Sequence, residues 1–262
     1  MILTPQGTQV RPAVAPPQGF DAAEASWPAL ASDTSALWDH TGTVNTDGDG
    51  VVSWEPTSGG GTGTRRSTAR SPAAATVDGQ PAINFTAANR DVLDVGSAPA
   101  TAFPFLLTVV GRLAGGVSNA TPWAAIGDAD GGVSQRAQLQ TTVPAGLGLV
   151  RGYTNLRAAQ MQPDPTIAAD GNVHVLTLIA NSFSDLRVYL DGVRGTDYSG
   201  AGPAISGWDA ASLGGALDDS ANTYDYLDGD LCAVQVCTGR TFGDADAAAI
   251  VAAARTVWSS IP

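Results

Sequence analysis

The sequence predicts an all-β fold: two antiparallel sheets packed as a jelly-roll sandwich, with an extended N-terminal arm and a C-terminal helix. Three observations carry this expectation. Short apolar runs of strand length recur from about residue 36 onward, each bounded by turn residues. The 262 residues include 31 Gly and 16 Pro, enough to supply many tight turns. Only one stretch, near the end of the chain, keeps a helical period.

Residues 1–34 read differently from the rest. Pro5, Pro12, Pro16, Pro17 and Pro28 punctuate a stretch with no strand or helix period. Alone it is an extended arm, which needs its own domain or a partner chain to lie on. Residues 35–262 then form the sandwich. Val51 to Trp54 follow the turn-rich Thr46-Asp47-Gly48-Asp49-Gly50. Ala82 to Phe85 and Val92 to Val95 mix apolar and polar positions, as half-buried strands do. Phe105 to Leu113, Trp123 to Ile126, Val133 to Leu139, Leu147 to Tyr153 and Asn172 to Ala180 continue the series. Leu186 to Leu190 runs into Asp191-Gly192, a two-residue hairpin signal, and Val193-Arg194 follows. Leu231 to Cys237 is the last strand. Asp244 to Trp258 is Ala-rich, acidic at its start and basic near its end, with Ile250, Val251, Ala254, Val257 and Trp258 on one face; it is a helix packed on the sandwich.

Composition excludes some partners. The net charge is −12 and all 13 basic residues are Arg. Such a chain repels nucleic acid and anionic lipid, so binding driven by counterion release is not expected. Arg65, Arg66 and Arg70 cluster in a Gly/Thr/Ser-rich stretch, which reads as a solvated loop, with a docking point for an acidic partner as the rival. Cys232 and Cys237 are five apart in one strand, which puts them on opposite faces ~17 Å apart, too far to bridge. His40 and His174 are the only histidines and lack a metal-ligand spacing to the cysteines. The first eleven residues carry no basic and no apolar leader region, and no apolar run approaches a membrane span. No export signal and no membrane insertion are expected.

Several segments resemble the concanavalin A-like lectin/glucanase and laminin G-like families. The strand His174 to Ala180, the hairpin Tyr189-Leu190-Asp191-Gly192, the strand Ser212 to Gly215 and the strand Leu227 to Cys237 come in the order of the family pattern. Leu37-Trp38-Asp39, Thr46 to Trp54 and Gln80 to Phe85 are similar to the opening of lectin-like domains in bacterial surface and phage proteins. The resemblance covers residues 36 to 258. It implies a sugar-binding sandwich and says less about function, because one fold hosts many activities.

The glucanases of that fold carry a Glu-x-Asp-x-x-Glu strand, since retaining hydrolysis needs two carboxyl groups about 5–5.5 Å apart. Only two of the 25 acidic residues are glutamates, Glu24 and Glu55, and that strand is missing. The aspartates mostly sit beside Gly, in turns. No nucleophile elbow or phosphate loop is present. A non-enzyme is expected, with an aspartate-based glycanase as the rival.

Asn45, Asp47 and Asp49 resemble positions 1, 3 and 5 of a calcium loop, but position 12 is Pro56 and Glu55 misses by one. A turn is the favoured reading and Ca2+ the weak one. For sugar, the loop Leu217 to Asp228 supplies aromatics and hydroxyl-binding groups in Asn222, Tyr224, Asp225 and Tyr226, with Trp208 nearby. The rival is a solvated loop with tyrosines packed inward.

Together these readings describe a lectin-like, non-enzymatic module of a phage-like particle, a fibre or a gene transfer agent head spike. Its partners would be host cell-surface polysaccharide and, through the arm, other particle proteins or copies of itself. A structural virion protein that binds no sugar, and a bacterial adhesin, are the alternatives.

Overall fold

The computed structural model describes residues 27–114, 121–128, 136–142, 149–154, 157–160, 171–195, 207–215, 217 and 226–262. Eighteen strands lie among them. The first eight are β1 (Thr34–Trp38), β2 (Val44–Asp47), β3 (Gly50–Trp54), β4 (Ser58–Gly59), β5 (Gly63–Arg65), β6 (Ala73–Val77), β7 (Gln80–Phe85) and β8 (Leu93–Val95). The next five are β9 (Phe105–Leu113), β10 (Thr121–Gly127), β11 (Arg136–Thr142), β12 (Leu149–Thr154) and β13 (Arg157–Gln160). The last five are β14 (His174–Ser182), β15 (Asp185–Leu190), β16 (Val193–Arg194), β17 (Ala210–Leu213) and β18 (Gly229–Thr238), followed by helix α1 (Asp244–Arg255).

They form two antiparallel nine-stranded sheets. The first runs β16-β15-β14-β9-β18-β1-β4, with the β6–β7 hairpin joined to it through β18. The second runs β13-β12-β11-β10-β17-β8-β5-β3-β2. The expected two-sheet sandwich is therefore observed, and its jumps between distant strands give the jelly-roll character.

Alternation along the strands builds three layers. Trp38, Phe85, Phe105, Leu107, Trp123, Leu178, Leu213 and Val234 fill the space between the sheets. The other face of the first sheet, with Leu106, Val110, Val175, Ile179 and Tyr189, packs under α1. That helix buries Ala247, Ile250, Val251, Ala253 and Ala254, and each fully buried Ile or Val contributes about 1.5–3 kcal/mol. It stops at Arg255, three residues before the expected end. The N–H groups of Thr256, Val257 and Trp258 turn back onto the carbonyls of Ala253 and Ala254, which seats Trp258 in the core.

One sequence expectation changes here. Cys232 and Cys237 share the helix-side layer instead of lying on opposite faces. A bulge between Leu231 and Ala233 shifts the alternation by one residue. Both thiols are free and buried. Burial raises the pKa of both, that of Cys237 to about 12. Residues 27–33 of the arm pack on the sandwich, one of the two supports expected for it. Trp27 meets Trp258 edge-on at 5.3 Å, and its Nε1 donates to Asp39 Oδ2 at 3.0 Å. Residues 1–26 lie outside the described residues.

The Asp191-Gly192 hairpin forms as expected, with φ of 51° and 81° and Leu190 paired to Val193. Both residues in the left-handed region mark the turn whose twist matches the flanking strands. Among the described residues, no helix is long and apolar enough to cross a membrane.

Candidate functional site

Of the residues expected to bind sugar, the two that are described, Trp208 and Tyr226, are buried. Trp208 is only 4% exposed, and its ring lies 5.8 Å from Phe105, between the sheets. Tyr226 is fully buried and bridges to Gly215 just before β18 begins. Each leads its chain into a core strand, so the apolar ring goes inward with it. Neither can offer a face to a pyranose. Asn222, Tyr224 and Asp225 lie outside the described residues. The start of their loop is placed: Arg66 Nη2 donates to the Leu217 carbonyl at 3.1 Å.

The calcium-like residues form a hairpin turn between β2 and β3. Asp47 Oδ1 accepts the Asp49 N–H at 2.9 Å, and Arg65 grips both carboxylate oxygens at 2.8 and 2.5 Å. That ion pair, above all, holds the Asp47 carboxyl below its usual range. Asn45 Nδ2 donates to Ser53 Oγ at 2.9 Å. Among the described residues, no group of three potential ligands could hold a metal ion. His174 is a sheet residue, with Nδ1 2.7 Å from Asp191 Oδ2.

A concave site does exist, on the outer face of the first sheet. Antiparallel register sets Ala73, Asn84, Asp230 and Arg112 side by side across β6, β7, β18 and β9. Their neighbours Phe85, Leu113 and Leu231 point into the sandwich core, so alternation turns the polar row outward. A cleft of about 700 Å³ opens over the row, with no residue of α1 among its described lining. Ala73, Ala74, Ala75, Leu113, Ala114 and Gly171 complete its lining.

The polar groups of this cleft hold one another in place. Arg112 Nε donates to Asp230 Oδ2 at 2.7 Å, and Asn84 Nδ2 donates to Asp230 Oδ1 at 2.9 Å. Asp230 is nearly buried, at 7% side-chain exposure, whereas Arg112 keeps 33%. The guanidinium thus spends its Nε on Asp230, and among the described residues Nη1 and Nη2 make no hydrogen bond. The Asn84 Oδ1 acceptor and the second lone pairs of the carboxylate are further hydrogen-bonding groups. Small side chains on β6 leave the room above them. The row is a hydrogen-bonding surface whose donors and acceptors are held in place by one another.

A second polar row crosses the other sheet. Asn45, Ser53, Thr64, Asp94, Ser212, Ala125 and Gln138 stand in register over seven strands. Arg66 clamps Asp94 through Nε at 2.8 Å and Nη2 at 2.6 Å. Toward β11 the row becomes buried: Ser212 is fully covered, and Gln138 and Gln140 are under 5% exposed. Gln138 Nε2 donates to Gln140 Oε1, and Gln138 Oε1 is buried without a partner among the described residues.

One carboxyl has the pKa of an acid catalyst without the access. Burial pushes Asp91 up to about 6, opposed only by the Thr86 N–H. At 2% exposure it meets no substrate.

Comparison with known proteins shows the fold. Domain 4 of AbnA, a GH43 extracellular arabinanase from Geobacillus stearothermophilus, solved in complex with arabinotriose, matches 84% of this chain over 98% of its own length, at TM-score 0.53 and 10% identity. The Trypanosoma rangeli sialidase in complex with sialic acid matches 86% of this chain at TM-score 0.59 and 12% identity. This chain spans 34% of that sialidase. No protein-family model matches the sequence, and no curated protein matches it.

The sequence reading missed the cleft, although one signal for it was present. Asp78-Gly79 is a second two-residue hairpin dipeptide, with φ of 51° and 80°, and it folds β6 onto β7. It marks the strand that walls the cleft. Nothing in the sequence joins Asn84 and Arg112 to Asp230, because only the strand order brings them together.

Proposed function

We propose that this protein is a non-enzymatic, glycan-binding module. The observation that carries the reading is the Arg112–Asp230–Asn84 row at the floor of an open cleft on a sandwich shaped like carbohydrate-active domains. Preformed donors and acceptors of this kind orient a polyol, while the small cleft walls admit it. The arabinanase domain was solved with a bound oligosaccharide and the sialidase with a bound sugar. No catalytic role is assigned to the cleft, because Asp230 is committed to Arg112 and Asn84 and no second carboxylate lines the cleft among the described residues.

The resemblance of the opening strands to phage and bacterial surface lectin-like domains supports a finer reading: a spike or fibre component of a phage-like particle that attaches to host polysaccharide. The test is an array of bacterial capsular and lipopolysaccharide glycans, probed with folded protein with and without chelator. Saturable, chelator-insensitive binding is expected. Failure to bind any glycan would overturn the reading.

That outcome would favour a structural particle protein. One observation speaks for that alternative: Val193 is the single exposed large hydrophobic side chain among the described residues, so no aromatic platform is on view.

A further inference from the structure

Resting on the glycan-binding reading, we infer that the cleft selects a neutral sugar, gripped through a vicinal pair of hydroxyls by Arg112 and Asp230, and rejects carboxylated sugars. The argument begins with charge. Asp230 takes the Arg112 Nε at 2.7 Å, so the pair presents no net charge to the cleft. The rest of the chain carries a net charge of −12, which repels an anion before it docks. A ligand carboxylate would also have to compete with Asp230 for the guanidinium. Winning that contest would strand Asp230, at 7% exposure, without its cation.

A neutral diol meets none of these penalties. One hydroxyl donates to a spare lone pair of the Asp230 carboxylate. Its neighbour accepts from Nη1 or Nη2 of Arg112. Each hydroxyl both donates and accepts, so it fits beside a fixed donor and a fixed acceptor. Asn84 locks the carboxylate from the other side at 2.9 Å and leaves its own Oδ1 for a third hydroxyl. The cleft is lined otherwise by Ala73, Ala74, Ala75, Leu113, Ala114 and Gly171. Among the described residues no aromatic lines it, so recognition runs through hydroxyl geometry and not through ring stacking. Because the charges are paired within the protein, binding should depend little on salt.

The test uses the full chain, titrated by calorimetry with neutral oligosaccharides and with uronate- or sialate-containing ones, at low and high salt. Ala73 is exposed and stands beside Asn84 in register, so Ala73→Trp fills the cleft without touching the core. Asp230→Asn is the second variant, close in shape, and its folding is checked by circular dichroism. The expected result is binding to neutral glycans only, changed less than threefold by salt, lost in Ala73→Trp and weakened at least tenfold in Asp230→Asn. Binding to acidic glycans alone overturns the inference and leaves the glycan-binding reading standing. So does neutral binding that survives Ala73→Trp, since the site would then lie elsewhere. No binding to any glycan overturns both.

Discussion

The two sheets each carry a polar row on the outer face, and the rows differ in a way that separates function from architecture. On the first sheet, Asn84, Asp230 and Arg112 satisfy one another at the floor of an open cleft. On the second, Ser212, Gln138 and Gln140 are buried, and Gln138 Oε1 has no partner among the described residues. Polar groups that are preorganised and reachable suit a ligand. Polar groups that are buried and partly unsatisfied cost stability and reach nothing. The contrast teaches that a polar stripe on a sandwich can serve a ligand only where it stays open, as the row of the first sheet does.

Variants can break or sharpen this contrast. The largest effect is expected at Asp91, a buried carboxyl just before β8 of the second sheet. Its folded pKa of about 6 lies above the ordinary value of 3.8. The native state therefore holds the proton more tightly than the unfolded chain. Stability is fully present below about pH 4 and falls as pH rises through 6. Asp91→Asn should remove that slope and stabilise the protein at pH 7 by about 2–3 kcal/mol, read from urea midpoints at pH 4 and pH 7. A slope unchanged by the substitution would show that the carboxyl is not desolvated as described.

Next comes Asp230→Ala. It removes the acceptor shared by Arg112 and Asn84 and should cost about 2 kcal/mol, discounted because Arg112 is one-third exposed. Urea unfolding reads it, and a change under 0.5 kcal/mol would mean the row is not a mutually supporting unit.

On the second sheet, Gln138→Leu alone strips Gln140 Oε1 of its donor, for a loss of about 1 kcal/mol. The double variant Gln138→Leu/Gln140→Leu removes both partners and should recover that loss. A double variant less stable than the single would contradict the view that this pair is an architectural cost.

Much of this architecture was legible in the sequence, for physical reasons that can be located. Phe105–Leu113 was readable as a strand end to end because its apolar run is long. Asp191-Gly192 was readable because few residues accept φ above zero. The two- and three-residue strands β4 and β5 were not, since so short a run has no period. The cysteine faces were misjudged because one bulge at Leu231–Ala233 reverses the alternation beyond it. Trp208 and Tyr226 look alike in sequence whether they face a sugar or a core, and burial decided against the sugar. Asp78-Gly79 marks the hairpin that walls the cleft, but its floor was not legible, because Asn84 and Arg112 meet Asp230 across separations of 146 and 118 residues.

The smallest expected effect on stability is that of Ala73→Trp, within about 0.5 kcal/mol as for other exposed edge positions, although it should abolish binding. That separation of binding from stability sharpens the contrast between the sheets most.

The central claim, that a sugar engages the first sheet and not the second, is tested most directly by amide chemical-shift mapping during titration with a neutral oligosaccharide that binds. The account predicts perturbations at Ala73, Asn84, Arg112, Gly171 and Asp230, with Thr64, Asp94, Ser212 and Gln138 unmoved. Perturbations centred on Asp94, Ser212 and Gln138 would contradict it.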